Sequence, residues 1–113
     1  MVTVGAVGAG LMWARAEVLA HAKIDFEGER IDFQLRERNG SVEALVREGA
    51  GLVRSRRLRS KPVYGVSPAM AQRAEFDFDA DRRQAKFSCE EGGVVFQFDG
   101  SQWEILPWIT RLN

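Results

Sequence analysis

Two short glycine-containing turns divide the C-terminal third of the chain into segments in which apolar and polar residues alternate. Gly92-Gly93 and Asp99-Gly100 both suit two-residue β-hairpin turns. The pairs that they imply are Cys89 with Phe96, Phe87 with Phe98, Phe96 with Trp103, and Val94 with Ile105. This register directs one set of side chains to a common face, namely Phe87, Cys89, Val94, Phe96, Phe98, Trp103 and Ile105. Because two independent turns give the same apolar face, the pattern predicts an antiparallel meander with one buried side.

A third turn, Asn39-Gly40, predicts a second hairpin earlier in the chain. The pairs that it implies are Leu35 with Ala44, Phe33 with Val46, Arg36 with Glu43, and Asp32 with Arg47. The first two pairs are apolar and share one face, and the last two join opposite charges on the other face. The apolar residues of the second arm are also spaced as on a helix, but a helix does not explain this match. The pairing therefore favours a strand over residues 41–47.

The rest of the chain adds a helix and further strands. Residues 11–23 are rich in alanine and carry apolar residues at helical spacing, which predicts a helix. Ser67 and Pro68 suit the N-cap and first position of a short helix over residues 69–73. We expect one domain over residues 1–113 that is mostly β (α+β). Its N-terminal helix is followed by about six antiparallel strands, arranged as a sandwich or open barrel.

Composition excludes several classes of protein. The chain has 113 residues, with 16 basic side chains, 16 acidic side chains and one cysteine. A net charge of zero argues against non-specific nucleic-acid binding, and a single cysteine excludes an internal disulfide. Residues 1–14 are uncharged, so they lack the basic region of a secretory signal, and they are too short to span a bilayer. We expect a cytoplasmic protein without membrane contact, with residues 1–10 as a flexible N-terminal arm.

A dense basic run lies in the middle of the chain, within a predicted proline-containing loop over residues 54–68. Its members are Arg54, Arg56, Arg57, Arg59 and Lys61. One interpretation is a solvated loop or an edge strand that uses charge to resist aggregation. A second is contact with an acidic surface of a partner protein, because arginine binds carboxylates with a planar fork. Nucleic-acid binding is a third, disfavoured because no aromatic residues interleave with the run.

Few residues suggest catalysis, a metal or a cofactor. The segment Met1–Trp13 resembles a dinucleotide-binding fingerprint, with Gly8 and Gly10 in the first two glycine positions. Trp13 stands where the fingerprint needs its third glycine, and hairpins rather than strand–helix–strand units follow, so this interpretation is disfavoured.

The other candidate residues have ordinary structural explanations. His21 is the single histidine and is expected on a helix surface, away from any metal-binding partner. Cys89 is expected to be buried among apolar neighbours. Asp77 and Asp79 are expected on a solvent-exposed strand face, behind Phe76 and Phe78.

The three tryptophans divide into one core residue and two candidate contact residues. Trp103 lies on the apolar face of the predicted meander. Trp13 and Trp108 lie near the two ends of the chain, where side chains are often exposed. Exposed tryptophan is favoured in interfaces, so these two residues join the basic run as predicted partner-binding residues.

The closing segment Val94–Leu106, Val-Val-Phe-Gln-Phe-Asp-Gly-Ser-Gln-Trp-Glu-Ile-Leu, resembles the last hairpin of small phage head-closure and tail-joining proteins. The resemblance implies a β-barrel or sandwich subunit of a virion neck, without catalysis, and no functional residue is transferred from it. The sequence predicts a non-enzymatic structural or adaptor subunit without cofactors, part of a homo- or hetero-oligomer in the cytoplasm or a virion. A nucleic-acid-binding module that uses the arginine-rich loop is the alternative, followed by a nucleotide-binding protein.

Overall fold

The structure is a computed structural model that describes residues 2–5, 17–49 and 57–110. These residues form nine β-strands and one short helix. The elements are β1 (Val2–Gly5), β2 (Glu17–Phe26), β3 (Glu29–Arg38), β4 (Ser41–Glu48), β5 (Arg57–Val63), α1 (Pro68–Ala71), β6 (Glu75–Asp79), β7 (Gln84–Cys89), β8 (Gly92–Phe98) and β9 (Trp103–Ile109). The mostly β, antiparallel prediction is confirmed, whereas the expected number of about six strands is too small.

The strands form two antiparallel sheets in chain order. The first sheet has the order β1-β2-β3-β4-β5, and the second has the order β6-β7-β8-β9. Within each sheet, every strand therefore pairs with its neighbours in sequence. Strands β5 and β9 are edge strands of the first and second sheet, and their residues contact each other. This contact between the two sheet edges positions the candidate site described below.

The two sheets share one aromatic core. The ring centroid of Phe33, from β3, lies 4.8 Å from the ring centroid of Phe96 and 5.1 Å from that of Trp103. Phe96 and Trp103 both belong to the second sheet. Five of the seven side chains predicted to point inward from the C-terminal meander are buried, and Cys89 and Phe98 pack against the core at its margin. The predicted apolar face is therefore confirmed.

The β3–β4 hairpin has the predicted register. Leu35 lies opposite Ala44, and Arg36 lies opposite Glu43. Asn39 and Gly40 both have positive φ, at 53° and 81°, as a type I′ turn requires. A two-residue turn of this type twists with its strands, so it specifies the pairing along the whole hairpin. The strand predicted over residues 41–47 is confirmed.

The predicted N-terminal helix over residues 11–23 is wrong where the structure describes it. Residues 17–23 belong to β2, which pairs with β3, and residues 11–16 lie outside the described residues. From Ala20 onwards β2 also alternates with a period of two, since Ala20, Ala22 and Ile24 are buried and His21, Lys23 and Asp25 are more exposed. Pairing with a long partner strand outweighs the helical preference of alanine.

The predicted flexible arm over residues 1–10 also needs correction. Residues 2–5 form strand β1, whose backbone pairs with β2 in an antiparallel register. The remaining residues of the arm lie outside the described residues.

The two C-terminal turns differ from their predictions, but the apolar face survives. Gly92 lies opposite Cys89, so the first turn is formed by residues 90 and 91. The second connection spans residues 99–102, and Trp103 lies opposite Phe98. Each observed pairing is displaced from the predicted pairing by an even number of residues. An even displacement keeps every side chain on its predicted face of the sheet.

Asp99 explains why the second turn is longer than two residues. Its Oδ1 accepts hydrogen bonds from the backbone N–H groups of Ser101 and Gln102, at 2.8 and 2.9 Å. These bonds hold the pKa of the exposed Asp99 carboxyl below its usual value. A side chain that binds the backbone in this way favours a four-residue loop over a tight hairpin turn.

The short helix begins as predicted. Ser67 Oγ accepts a hydrogen bond from the backbone N–H of Met70 at 3.3 Å, and Pro68 is the first helical residue. Ala71 is fully buried in the core, and Val66 is almost fully buried.

No helix among the described residues is long and apolar enough to cross a membrane.

Glu43 makes ion pairs with Arg36 and Arg38 on the outer face of the β3–β4 hairpin. Burial raises the pKa of its carboxyl, but hydrogen bonds from both arginines outweigh burial and hold the pKa below its ordinary value of 4.5. A carboxyl with a lowered folded pKa stabilises the fold above its unfolded pKa. That stabilisation is lost as the pH falls through the folded pKa.

We expect Glu43→Gln to lower the free energy of unfolding at pH 7 by roughly 1 kcal/mol, because the variant loses two ion pairs. The difference from the wild type should shrink as the pH falls below 4.5. Urea unfolding at several pH values measures it, with Glu104→Gln as the control for loss of one exposed carboxylate. A difference that does not change with pH would contradict the ion-pair explanation.

Candidate protein-interaction site

The predicted basic run is partly built into the edge strand β5. Arg54 and Arg56 lie outside the described residues, and Arg57 begins β5 opposite Glu48. Residues 57–63 are strand, so the predicted loop over residues 54–68 is wrong for this segment. The alternative interpretation, a charged edge strand, agrees with the sheet order.

Arg59 and Lys61 connect the edges of the two sheets. Arg59 Nη1 donates a hydrogen bond to the carbonyl oxygen of Trp103 at 3.4 Å, and Lys61 Nζ donates one to that of Ile105 at 3.3 Å. Both acceptors lie on β9, the edge strand of the second sheet. Two of the predicted partner-binding residues therefore satisfy backbone carbonyls of this chain while their side chains stay largely exposed.

Each of these two edge strands also contains a proline. Pro62 lies in β5 and Pro107 in β9. The N–H and C=O groups of one strand residue point to the same side, and alternate residues share that side. Since the carbonyls of Trp103 and Ile105 point away from β8, the nitrogen of Pro107 points outward as well. The position of Pro107 in an edge strand agrees with its inability to donate to a ladder.

An apolar groove lies where β5, the turn after it and β9 meet. Its volume is about 380 Å³, and its lining residues are Lys61, Pro62, Tyr64, Pro107, Trp108 and Ile109. We call this the edge groove. The exposed large apolar side chains of the described residues are Leu58, Tyr64, Leu106 and Ile109, and all of them belong to β5, its following turn or β9. Of these four side chains, Tyr64 and Ile109 line the edge groove. Clustered exposed apolar side chains mark interaction sites more often than scattered single residues do.

Two glycines allow the groove to form. A Cβ atom on Gly93 would lie 2.6 Å from Cη2 of the Trp108 indole, so the ring occupies the space that a side chain at this position would need. Gly65 has a φ of +84°, and its own Cβ would lie 2.5 Å from Cγ2 of Ile109. The turn that presents Tyr64 therefore closes directly onto the end of β9.

Of the two tryptophans that the structure describes, Trp103 is a core residue, as predicted. Trp103 is fully buried in the core, whereas Trp108 lies on the opposite face of β9 and is half-buried in the edge groove. Trp13 lies outside the described residues. Of the predicted partner-binding residues, the structure brings Lys61 and Trp108 together in one groove, and Arg59 lies two residues before Lys61 on the same face of β5.

Sequence reasoning missed Tyr64 and Ile109. Tyr64 is 77% exposed and lies in the segment between Pro62 and Pro68, which was predicted only as a loop. A lone tyrosine in a proline-bracketed segment is a usable signal for an exposed aromatic contact residue. Ile109 gave no such signal, because its neighbour Gly65 is distant in sequence and joins it only in the folded chain.

The residues considered for chemistry lie apart from one another. His21 is half-buried on β2 opposite Gln34, so it lies on a strand and not on the predicted helix surface. Cys89 is half-buried, and its thiol donates a hydrogen bond to the Gly92 carbonyl at 3.3 Å. Within residues 2–5, 17–49 and 57–110, no group of three or more histidine, cysteine, aspartate or glutamate side chains could hold a metal ion.

The pairing of β1 does not match the dinucleotide-binding fingerprint that residues 1–13 resemble. Strand β1 pairs with β2 in an antiparallel register, whereas the fingerprint belongs to a parallel strand–helix–strand unit. Gly8, Gly10 and Trp13 lie outside the described residues. Residues 17–23, which would have continued the following helix, are strand.

Among the described residues, Asp77 and Asp79 lie on the outer face of β6, and Phe76 and Phe78 pack against the core, as predicted.

Comparison with known proteins gives no further guide to the site. No protein-family description, curated protein or solved structure matches the chain.

Proposed function

We propose that the protein is a non-enzymatic adaptor or structural subunit that binds another protein through the edge groove. One observation carries the proposal, namely that two of the exposed large apolar side chains of the described residues, Tyr64 and Ile109, line this groove together with Trp108. Tyrosine and tryptophan are among the residues that contribute most to protein interfaces, and both line this groove. The resemblance of residues 94–106 to phage neck proteins supports a place for this subunit in a virion.

A protein partner fits the groove better than a nucleic acid does. The groove presents mainly apolar surface, and Lys61 is the one charged side chain among the six described residues that line it. Lys61 and Arg59 already donate to carbonyls of β9, which leaves them fewer donors for phosphates. The chain has no net charge, whereas non-specific nucleic-acid binding depends on a positive surplus.

The mass of the native particle tests the proposal. We expect protein isolated from its own cells to elute as a complex much larger than the 12.7 kDa of one chain. Replacing both Tyr64 and Trp108 with serine should release the free chain, because these residues supply the exposed aromatic surface. Native mass spectrometry measures both particles, and circular dichroism checks that the variant keeps its strands.

Two controls make the result interpretable. Leu58→Ser removes a side chain that is 60% exposed on β5 but does not line the groove, and it should leave the complex intact. A wild-type particle of one chain, bound to nothing, would contradict the proposal. Recovery of the protein with nucleic acid in a complex that dissociates steeply with salt would support the alternative function instead.

A further inference from the structure

We propose that the edge groove binds a proline-containing segment in the polyproline II conformation, carrying an acidic residue, from a different chain. The inference rests on the proposed function and names the class of partner that the groove takes. Three features of the described residues carry it: the blocked strand edges, the aromatic and proline lining, and the position of Lys61.

Strand addition, the commonest way for a sheet edge to bind a peptide, is disfavoured at this place. An added strand would need the outward carbonyls of Trp103 and Ile105, but these accept hydrogen bonds from Arg59 and Lys61. It would also need an N–H group at Pro107, which has none. Pro62 likewise leaves β5 without an N–H group at its position, so the ligand binds without extending a ladder at Pro62 or Pro107.

A polyproline II segment meets this requirement. Its backbone makes no internal ladder and stays solvated, and it binds by laying proline rings against aromatic side chains. The edge groove offers Tyr64 and Trp108 for this contact, and Pro62 of β5 and Pro107 of β9 also line it. Tyr64 is 77% exposed, so most of its side chain is available to a ligand.

The positive charges of Lys61 and Arg59 favour an acidic residue beside the prolines of the ligand. The Lys61 ammonium has three donors, and its hydrogen bond to the Ile105 carbonyl leaves two for a ligand. Arg59, on the same face of β5, adds positive charge beside the groove. An aspartate or glutamate next to the proline segment would complement this end of the groove and fix the direction in which the segment binds.

The occupant belongs to another chain. This sequence contains three prolines, at positions 62, 68 and 107, and two of them line the groove itself. No two of the three are adjacent or close enough to form a proline-rich segment. A second copy of these 113 residues therefore lacks such a segment, and the partner that we propose is a different protein.

Titration with synthetic peptides tests the inference. The probe is the fluorescein-labelled peptide Asp-Pro-Pro-Leu-Pro-Pro-Leu, compared with Thr-Val-Thr-Val-Thr-Val-Thr, which favours strand addition. We expect the proline peptide to bind in a saturable manner and the second peptide not to bind. Tyr64→Ala and Trp108→Ala should each weaken binding about tenfold or more, as truncation of an interface aromatic does. Leu58→Ala and Leu106→Ala, outside the groove, should leave the affinity unchanged.

A charge exchange tests the role of Lys61. A peptide with asparagine in place of the aspartate should bind the wild type about threefold more weakly at low salt. In the Lys61→Gln variant, which keeps only the charge of Arg59, the difference in affinity between the two peptides should be clearly smaller than in the wild type. An undiminished difference in Lys61→Gln would remove Lys61 from the recognition of the acid.

The remaining outcomes separate this inference from the proposed function. No saturable binding of the proline peptide up to about 1 mM overturns the inference. If the native particle is nevertheless a complex that the Tyr64 and Trp108 substitutions release, the proposed function stands without it. Binding of the threonine–valine peptide alone would assign strand addition to the edge and overturn the polyproline proposal. A free wild-type chain that also binds neither peptide contradicts both.

Discussion

Trp103→Ala is expected to lower the free energy of unfolding by about 4 kcal/mol, the largest effect of any substitution considered for this chain. The side chain is fully buried, and its ring centroid lies 5.4 Å from Phe26, 5.1 Å from Phe33 and 5.2 Å from Phe98. Phe26 and Phe33 belong to the first sheet, and Phe98 belongs to the second. Removing the indole therefore opens a cavity in the layer that joins the two sheets.

The same strand supplies a matched control. Trp108→Ala removes an identical side chain from the opposite face of β9, where it is half-buried in the edge groove. We expect this variant to lose much less stability, on the order of 1 kcal/mol, because the site opens to solvent and leaves no closed cavity. Urea unfolding followed by far-ultraviolet circular dichroism measures both values without relying on tryptophan fluorescence.

If the wild-type stability is near 5 kcal/mol, Trp103→Ala would keep only about 1 kcal/mol, so roughly 15% of its molecules would be unfolded without urea. Trp103→Phe, which keeps an aromatic ring in the core, would then provide an intermediate value of about 1–2 kcal/mol. Equal losses for the two alanine variants would contradict the division of β9 into a core face and a groove face.

The sequence predicted some hairpins better than others for an identifiable reason. At Asn39-Gly40, turn chemistry, apolar pairing and charge pairing all favour one register, and the structure has that register. At Gly92-Gly93, the two glycines were taken for the turn, but Gly93 is needed inside β8 because Trp108 and the backbone of β7 approach it closely. A glycine that permits close packing and a glycine that permits a turn look alike in a sequence.

The helix error has a similar origin. The alanine-rich segment before Phe26 carries both a helical and an alternating apolar pattern, and local preference alone favours the helix. What decides the outcome is the partner strand β3, which pairs with β2 along nearly its whole length. That partner follows β2 in the chain, and its effect becomes apparent only when the two segments are aligned as a hairpin.

Two of the six residues that line the candidate site were predicted as contact residues from the sequence, but the geometry of the site was not predictable. Lys61 and Trp108 were predicted as contact residues, one from local charge and one from its place near the end of the chain. Their meeting depends on the contact between β5 and β9, which belong to different sheets. Contacts between two sheets leave no periodic signal in either strand, so the groove appears only with the packed structure.

Gly93→Ala is expected to lower the free energy of unfolding by about 3 kcal/mol and to abolish binding at the edge groove. The added Cβ would lie 2.1 Å from the Phe87 carbonyl oxygen, 2.6 Å from the Trp108 ring and 3.0 Å from the Ser88 Cα. Two of these atoms are backbone, so β7 and β8 must separate locally. The third forces the indole away from its position beside the groove.

Gly40→Ala is the matched control for adding a methyl group to a glycine. Gly40 has a φ of +81°, and a Cβ there would meet nothing within 4 Å, so its expected cost is about 1 kcal/mol from backbone strain alone. It should leave peptide binding unchanged. Equal losses for the two variants would contradict a steric role for Gly93.

A double-mutant cycle with Trp108 separates the two clashes at Gly93. In Gly93→Ala combined with Trp108→Ala, the ring contact is absent, so the two losses should add to more than the double variant shows. The clash with the Phe87 carbonyl remains, so stability should recover only in part. Strict additivity of the two losses would show that the indole does not occupy the space beside Gly93. Strict additivity would therefore contradict the role of Gly93 in positioning Trp108 in the groove. Full recovery would show that the carbonyl contact costs nothing, and it would contradict the expected local separation of β7 and β8.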